Sequence, residues 1–346
     1  MKLYNTLPKE ELAALVAAES EPRITVSFYS YHSIPEPQSF RDEMFAALTQ
    51  MRVLGRIFVA TEGINAQCSV PQSHFEELKN YLYQFPPMNG LRLNTAADES
   101  GTSFLKLKIK VRPKIVADGI GDQNFDVHNN GKYLNAQEFN AFTENPETIV
   151  IDMRNHYEYE VGHFKNAIEI PSDTFREQLP MALDMLKGKE DKPVVMYCTG
   201  GIRCEKASAY FRYKGFKDLY HLEGGIIHYV NNVRQKGLEN KFIGKNFVFD
   251  DRLGERITED IIAHCHICGT PCDAHTNCKN DGCHLLFIQC ATCAEKYMGC
   301  CSEACHATVQ LPEDVQKELR KGIDKGQMVH GKSLKRKRTK SDREGH

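Results

Sequence analysis

The run Cys198-Thr-Gly-Gly-Ile-Arg203 constrains this chain more than any other stretch. The apolar residues 193–197 before it predict a buried strand, and the periodicity of 205–213 after it predicts a helix. The turn between them consists of Thr199, Gly200, Gly201 and Ile202. Adjacent glycines let successive N–H groups point at the sulfur, and the helix N-terminus and Arg203 add positive charge. Such surroundings favour the thiolate, so Cys198 and Arg203 are predicted to be catalytic.

A cysteine, four residues and an arginine between a strand and a helix resemble the active loop of rhodanese domains. The residues around Asp152, Gly162 and Ile170 resemble the entry signature of that family, and His221-Leu-Glu-Gly-Gly-Ile226 resembles its closing one. The alternative, a structural cysteine in a glycine turn, is disfavoured because structural cysteines usually lie among apolar residues. Asp152, Arg154, His163 and His221 are interpreted as structural. Cys204 is either a resolving thiol for Cys198 or a bystander.

Loop length separates two chemistries. The resemblance implies that four residues between the cysteine and the arginine suit a sulfur atom carried on the cysteine, whereas the related dual-specificity phosphatases use one residue more to fit a phosphate. The loop here is the short one, and it contains no aspartate. Phosphatase activity is therefore the lesser alternative.

Composition and the absence of targeting patterns indicate the compartment expected for this protein. The 346 residues carry a formal net charge of −2, which by itself indicates no class of partner. No stretch is long and apolar enough to cross a membrane, and the first residues lack the pattern of an export signal. A cytoplasmic protein is predicted, without a membrane partner and with no protein partner that the sequence indicates. Its thirteen cysteines are then expected to serve as thiolates rather than as disulfides.

The first third of the chain predicts a β-α-β-β-α-β, ferredoxin-like unit. Strands are expected at 24–31, 55–60 and 64–70, with a long last strand near 104–116, and helices at 39–51 and 73–83. Such a sheet carries its helices on one face, so the other face is expected to be open.

Side chains of the predicted long strand divide between the two faces of the sheet. The cations fall on the open face: Lys106, Lys108, Lys110, Arg112 and Lys114. Tyr29 and Tyr31 of the first strand are expected on the same face. Cations with tyrosines suit phosphate contact and base stacking, so this face is predicted to bind nucleic acid. The alternative is that the lysines only guard a sheet edge against aggregation.

The fold class predicted for the whole chain is multidomain, α/β and α+β. The expected parts are a ferredoxin-like domain (1–117), a linker (118–131), a rhodanese-like catalytic domain with a parallel sheet (132–240), a Cys-rich module (241–310) and a charged tail (311–346). The tail includes Lys335-Arg-Lys-Arg338, which is expected to be disordered until it meets a polyanion.

Ten of the thirteen cysteines lie between 264 and 306. Two Cys-x2-Cys pairs, separated by 21 residues, have a spacing near that of a zinc ribbon. The first predicted zinc site is Cys265, Cys268, Cys290 and Cys293. A second is expected from Cys272, Cys278 and Cys283, with Cys301 or Cys305. The zinc would be structural, and an iron–sulfur cluster is the alternative.

Taken together, three stretches resemble the bacterial tRNA uridine hydroxylases of the rhodanese superfamily. They are Thr61-Glu-Gly-Ile-Asn-Ala-Gln67, Tyr197-Cys-Thr-Gly-Gly-Ile-Arg-Cys-Glu-Lys206 and the Cys-rich segment with Asn277-Cys-Lys-Asn-Asp-Gly-Cys283. The resemblance implies O2-dependent formation of 5-hydroxyuridine at the wobble position in the anticodon loop of tRNA, with Cys198 essential. No haem, flavin or facial-triad iron motif is found, so no organic cofactor is predicted and the electron donor is left open. The alternative function is a sulfurtransferase that carries a persulfide on Cys198 for tRNA thiolation or sulfur relay.

Overall fold

The computed structural model of the chain describes residues 7–98 and 101–321. The basic segment around Lys335–Arg338 lies outside this range. The N-terminal domain contains, in order, α1 (Lys9–Ala17), β1 (Arg23–Tyr31), α2 (Pro37–Gln50), β2 (Leu54–Ala60), β3 (Gly63–Pro71), α3 (Phe75–Tyr83), β4 (Asn94–Thr95) and β5 (Leu107–Val111). Short 3₁₀ turns at Gln72–His74 and Pro86–Met88 flank α3.

The N-terminal sheet has the strand order β4-β1-β3-β2-β5. Strands β1 to β4 have the predicted ferredoxin-like topology. The fourth strand of that unit, however, is the short β4, which pairs antiparallel with β1, and not the long strand predicted near 104–116. The strand predicted over 104–116 is shorter, and it is a fifth strand, parallel to β2 at the opposite edge. A two-residue strand has too few alternating side chains to be recognised in a sequence, so the longer run was assigned its place.

Helices α2 and α3 cover one face of this sheet. Their apolar residues, among them Met44, Leu48, Leu78 and Leu82, are buried against every second residue of the central strands. Alternation along a strand therefore places the polar residues of β1, β2 and β3 on the face without helices.

The second domain contains β6 (Lys132–Leu134), α4 (Ala136–Glu144), β7 (Ile149–Asp152), α5 (His156–Tyr159), β8 (Gly162–Phe164), β9 (Ile168–Glu169), α6 (Phe175–Met185), β10 (Val194–Tyr197), α7 (Ile202–Tyr213), β11 (Leu219–Leu222) and α8 (Gly225–Lys236). Its sheet has the order β6-β11-β10-β7-β9, with every pair parallel. The predicted parallel α/β domain is confirmed. Cys198 follows β10, the middle strand.

Both faces of this parallel sheet are covered, which explains the unbroken apolar run of β10. Val194 and Met196 pack in the cluster formed with α6 and α7. Val195 and Tyr197 pack in the cluster on the other face, with α4 and α8. In a strand that is buried on both faces, every side chain is apolar, so apolar and polar residues do not alternate. The strand ends where the polar loop begins.

The remaining elements are β12 (Phe242–Asn246), β13 (Glu255–Arg256), β14 (His275–Asn277), β15 (Leu286–Ile288), α9 (Ala291–Lys296), α10 (Glu303–Val309) and α11 (Glu313–Leu319). Strand β12 pairs antiparallel with β8 of the second domain and with β13. The Cys-rich module is thereby joined to the second domain through backbone hydrogen bonds. Among the described residues no helix combines the length and apolar character that crossing a membrane requires.

The prediction that the helix-free face of the N-terminal sheet is open is wrong along β1. Tyr31 is only 7% exposed, and its hydroxyl donates to the carbonyl oxygen of Ile202 at 3.1 Å. Tyr29 donates from its hydroxyl to Glu205 at 2.9 Å. The start of α7 therefore packs against this face, and the face stays uncovered only toward β2 and β5.

Candidate functional site

The Cys198 loop is shaped by glycines that meet other backbone closely. Gly201 has φ of +101°, in the left-handed region that favours glycine. Gly225, at the start of α8, has φ of +66°, and a Cβ there would lie 2.5 Å from the carbonyl oxygen of Cys198. That same oxygen accepts a hydrogen bond from the backbone N–H of Ile226 at 3.0 Å. The glycines of the loop and of 221–226 thus let the N-terminal ends of two helices approach the cysteine.

The surroundings of Cys198 favour its thiolate. The residue is fully buried, and burial alone would raise the pKa of its thiol. A hydrogen bond from Cys204, the charge of Arg203 and the backbone N–H groups of Cys204 and Gly201 oppose burial and lower the pKa to about 6. The Gly201 N–H lies 3.2 Å from the sulfur. At neutral pH the thiolate is therefore the main form.

Arg203 influences the Cys198 sulfur through its positive charge, while its guanidinium donates hydrogen bonds to other residues. Its guanidinium donates to both carboxylate oxygens of Glu158, at 2.7 and 2.9 Å, and also contacts the hydroxyl of Thr199. Burial would raise the pKa of the Glu158 carboxyl, but the charge and hydrogen bonds of Arg203 hold it below its ordinary value. Glu158 in turn accepts from Thr199 at 3.2 Å. The pair therefore fixes the loop to α5.

Cys204 lies in the same apolar cluster as Cys198 and is also fully buried. Burial, together with its hydrogen bond to the Cys198 sulfur, raises the pKa of its thiol well above the ordinary value. Cys204 is therefore a neutral hydrogen-bond donor to the thiolate. This position adds a third possibility to the two considered from the sequence, since a donor need be neither a resolving thiol nor a bystander.

The residues interpreted as structural are placed in the interior or in local packing contacts. Arg154 is fully buried and pairs with Asp152 at 2.6 Å. His221 is buried, which lowers its pKa to about 4, and its ring contacts the carbonyl oxygen of Gly131 at 3.2 Å. His163 stacks on Tyr159 with ring centroids 4.1 Å apart. None of these contacts reaches the Cys198 sulfur.

The predicted nucleic-acid residues are divided by the structure into two groups. Tyr29 and Tyr31 lie at the contact between the domains, where Tyr31 is buried and Tyr29 is half-buried. The ring of Tyr31 therefore has no open face for the base stacking expected of it. The cations stay accessible: Lys106, Lys108 and Arg112 are exposed, and Lys110 is half-buried. Lys114 instead pairs with Asp118 at 2.7 Å.

The accessible cations repel one another. Burial, and then the charges of Lys110, Lys106 and Arg56, lower the pKa of Lys108. Within the described ranges, no ion pair joins any of these four residues to a carboxylate. A cluster of unpaired like charges costs free energy in the absence of a counter-ion, and a polyanion would remove that cost. These cations are therefore the stronger part of the predicted surface.

The Cys-rich module brings eight cysteines into two groups of four. In each group all sulfur atoms lie within 4.8 Å of one another, and each group could hold a metal ion. The members of the first are Cys265, Cys268, Cys290 and Cys293, as predicted; those of the second are Cys278, Cys283, Cys301 and Cys305. Sulfur pairs at 3.7 and 3.8 Å fit the roughly 3.8 Å edge of a tetrahedron with metal–sulfur distances of about 2.3 Å.

Cys272 is not part of either group, which corrects the sequence prediction. Its sulfur accepts from the backbone N–H of Ala274 at 3.5 Å, and the fourth position in the second group belongs to Cys305. The two groups interleave along the chain: the first uses cysteines before β14 and after β15, and the second uses those between and beyond them. Spacing alone assigned Cys272 because it precedes Cys278 closely in sequence.

A cleft of about 580 Å³ between the second domain and the Cys-rich module was not singled out from the sequence. Its walls include His156, Glu160 and Glu169 on one side and His264 and His266 on the other. His266 contacts Glu160 at 2.9 Å. This contact joins the module to the residue that caps the C-terminus of α5, the helix that carries Glu158.

Lys206, the last residue of the motif at 197–206, is the centre of the contact between the domains, a position that the motif itself does not predict. It is only 1% exposed, and its ammonium donates to Glu62 of the N-terminal domain at 2.8 and 2.9 Å. It also pairs with Asp118 at 2.7 Å and lies 5.2 Å from the ring centroid of Tyr31. Because Lys206 stands on α7, this network fixes the N-terminal sheet relative to the Cys198 loop.

We predict that Lys206→Met lowers the unfolding free energy by about 3 to 5 kcal/mol, because it leaves Asp118 and Glu62 without their shared cation. The measurement is the midpoint of urea unfolding. Lys217→Met is the matched control: Lys217 forms an ion pair with Asp191 that is mostly exposed, and such surface pairs contribute little to stability. Equal midpoints for the two variants would contradict this role for Lys206.

Comparison with known proteins adds the family. A model described as a UPF0176 acylphosphatase-like domain matches residues 23–115, a rhodanese-like domain model matches 135–232, and a rhodanese C-terminal model matches 243–306. The tRNA uridine(34) hydroxylase of Sodalis glossinidius is 58% identical over 335 residues, which cover 96% of this chain and 95% of that protein. The chain belongs to this family. The resemblance stated from the motifs is confirmed.

Two further relatives of the same name come from Enterobacter sp. strain 638 and from Escherichia fergusonii. Each is 57% identical to this chain, and the matches cover 98% and 97% of it. They also cover 97% of each relative. Similarity thus extends through all three described parts of the fold, including the Cys-rich module.

Proposed function

We propose that this protein hydroxylates uridine 34 of tRNA at C5 and that Cys198 carries out the chemistry. The observation that supports this most is a thiolate loop of a family whose named relatives are tRNA uridine(34) hydroxylases. Nucleosides from tRNA of cells lacking the gene should lose a uridine that is 16 Da heavier, and purified protein should restore it. Loss of a thiolated uridine instead would favour the sulfurtransferase alternative.

The proposed chemistry uses O2 as the source of the hydroxyl oxygen. One atom of O2 enters the C5–H bond, and the other leaves as water, so two electrons and two protons must come from an external reductant. Addition of the Cys198 sulfur to C6 of the uracil would make C5 electron-rich enough to react with oxygen. Arg203 keeps the sulfur anionic until it adds. After C5 is hydroxylated, loss of the C5 proton to solvent restores the C5=C6 bond and expels the Cys198 thiolate from C6. Incorporation of ¹⁸O from labelled O2, and not from labelled water, is the expected signature.

We assign the three parts of the chain different roles. The N-terminal domain presents the anticodon loop, the rhodanese-like domain carries the reaction, and the Cys-rich module stabilises the second domain. Bases of an anticodon loop are unpaired, so uridine 34 can be extruded at low cost. A tRNA substrate and reduced thiols both agree with a cytoplasmic location.

We infer that both cysteine groups hold zinc. Four thiolates at the corners of a tetrahedron are the donor set of structural zinc sites, and with four protein ligands no position is open to substrate. The metal would therefore contribute folding free energy rather than chemistry. Elemental analysis should find two zinc ions per chain; iron with sulfide would indicate clusters instead.

We predict that reversing the charges of Lys108 and Lys110 together weakens tRNA binding, because two phosphate contacts are lost and replaced by repulsion. The slope of log affinity against log salt should become shallower by about 0.7 to 0.9 for each contact. The measurement is binding at several salt concentrations.

The control reverses Lys187 and Lys189, which are exposed in the loop before β10, at the end of that strand opposite to Cys198. Affinity and slope should there be unchanged. If the Lys108 and Lys110 variant also binds as the wild type does, these lysines only guard a sheet edge.

A further inference from the structure

Two hydroxyl groups of the N-terminal sheet face the Cys198 loop directly. The hydroxyl of Tyr29 lies 3.0 Å from where a Cβ of Gly201 would stand, and Ser27 Oγ lies 3.9 Å from the same position at Gly200. Side chains at either glycine would fill this space. The loop that surrounds the reactive sulfur is therefore completed on one side by β1 of another domain.

Ser27 has a buried hydroxyl at this place. Among the residues that the structure describes, none forms a hydrogen bond with its Oγ, although it stands next to a loop rich in N–H and C=O groups. A buried hydroxyl without a partner costs about 1 to 3 kcal/mol, so native proteins rarely keep one without a reason. A ligand that enters beside Cys198 and carries a carbonyl oxygen would satisfy it.

Gln67 stands beside Ser27 on the same face of the sheet. The register pairs Ser27 with Gln67, Gln67 with Arg56, and Arg56 with Lys108. Adjacent strands lie about 4.8 Å apart, so a single row leads in about 14 Å from Ser27 at the loop to the unpaired cations. A nucleotide whose base lies at the loop can have its neighbouring phosphates at those cations.

The orientation of the Gln67 amide is fixed by a chain of hydrogen bonds. The carbonyl oxygen of Ile115 can only accept, so Asn65 must direct its NH2 group there, at 3.2 Å. The Asn65 oxygen is then turned toward Gln67, and it accepts from the Gln67 NH2 group at 2.8 Å. If Gln67 flipped, two amide oxygens would face each other.

A fixed amide can distinguish uracil from cytosine. Uracil offers an N3–H donor beside the O4 acceptor, which match the oxygen and the second N–H of Gln67. Cytosine offers an N3 acceptor beside an amino donor, the reverse pattern, and a fixed amide cannot turn to match it. Hydroxyl groups rotate and would bind either base, so Ser27 contributes affinity and Gln67 contributes selectivity.

We propose that Gln67, held by Asn65 and assisted by Ser27, reads the base edge of the uridine presented to Cys198. This inference rests on the proposed function and names its specificity-determining residues. The active site is then shared between two domains, which gives a reason for the buried Lys206 network that holds them in register. The ligand class is a uracil base in an unpaired RNA loop.

The test compares kcat/KM on two tRNA transcripts that differ only in U34 or C34. Gln67→Leu should lower kcat/KM on U34 by about 10- to 100-fold, a loss of the size expected for one bidentate base contact, with little effect on tRNA binding. Gln67→Glu accepts but cannot donate, so its ratio of C34 to U34 product should rise. Gln50→Leu, exposed at the end of α2, is the matched control and should behave as the wild type.

Ser27→Ala keeps the result interpretable if a Gln67 variant folds poorly, because it removes one orphaned hydroxyl and should lower kcat/KM without lowering stability. Wild-type kcat/KM and wild-type selectivity in both Gln67→Leu and Ser27→Ala would overturn the inference while leaving the hydroxylase proposal intact. If the wild type itself makes no product on U34, the proposed function is overturned and this inference with it.

Discussion

Cys198→Ser is expected to abolish formation of the hydroxylated uridine while tRNA binding stays at the wild-type level. A serine hydroxyl is similar in size, but it stays protonated in the surroundings that hold the Cys198 thiol at a pKa of about 6. Removing a nucleophile from an intact site costs at least about 10³-fold in rate. The measurements are product per hour by mass spectrometry and tRNA affinity on the same preparation.

Cys204→Ser is the matched control. A serine at this position can still donate a hydrogen bond to the Cys198 sulfur, so a donor role predicts activity within about tenfold of the wild type. If Cys204 were instead a resolving thiol, serine could not replace it, and this variant would lose activity. Activity of Cys198→Ser at the wild-type rate would refute a cysteine-centred mechanism.

The same thiolate sets an expected pH dependence. The pKa of Cys198 lies below the ordinary thiol value, so the reactive anion is present above about pH 6 and is lost as pH falls through that value. Turnover should therefore fall on acidification near pH 6 and level off above pH 7. A profile that rises only above pH 8 would mean that the loop does not lower the pKa of this thiol.

Cys305→Ala is expected to remove one of two bound metal ions and to unfold its part of the Cys-rich module. Binding of a structural zinc ion in small zinc modules supplies about 10 to 16 kcal/mol of apparent free energy, so its loss exceeds what the few apolar residues there can replace. Of the described residues, four are buried around the second group: Cys278, Leu285, Phe287 and Cys300. The measurements are metal content and the thermal unfolding curve.

Cys272→Ala is the control that distinguishes the ligand set seen in the structure from the one predicted from the sequence. Cys272 lies outside both groups, so this variant should keep two metal ions and the wild-type unfolding curve. The opposite result, with metal lost from Cys272→Ala and kept in Cys305→Ala, would show that the second group is assembled differently. Activity of both proteins should be tested too, because the module is joined to β8 through β12.

Local signals were sufficient to predict the conformation of the Cys198 loop. The strand at 194–197, the glycines and the helix at 202–213 follow one another within 20 residues, so their chemistry could be predicted without knowledge of any distant contact. The thiolate is likewise a local property, since Gly201, Arg203 and Cys204 are all within six residues of Cys198. The first cysteine group was also predictable, because two Cys-x2-Cys pairs carry their own geometry.

Long-range contacts decided the rest. Cys305 joins Cys278 and Cys283, which precede it by 27 and 22 positions. Arg203 pairs with Glu158, 45 positions away, and β5 pairs with β2, whose residues lie 52 positions earlier. Such contacts cannot be predicted from the sequence, because hydrophobic periodicity indicates local helices and strands but not which distant residues the folded chain brings together. Glu158 and Glu205 could have been noticed as acidic residues near the motif, but not their partners.

The sequence by itself determined the three-part fold, the strand-loop-helix that carries Cys198 and the family to which the chain belongs, because each is encoded by motifs a few residues long. Only the tertiary structure decided that the N-terminal sheet lies against the Cys198 loop. Lys206, Glu62 and Asp118 pair across domain boundaries, and a buried charge finds its partner only when the domains dock. The sheet face that was predicted to be open is therefore divided. Its β1 side contacts the second domain, its β2 and β5 side presents the cations, and Ser27 and Gln67 lie between these two parts.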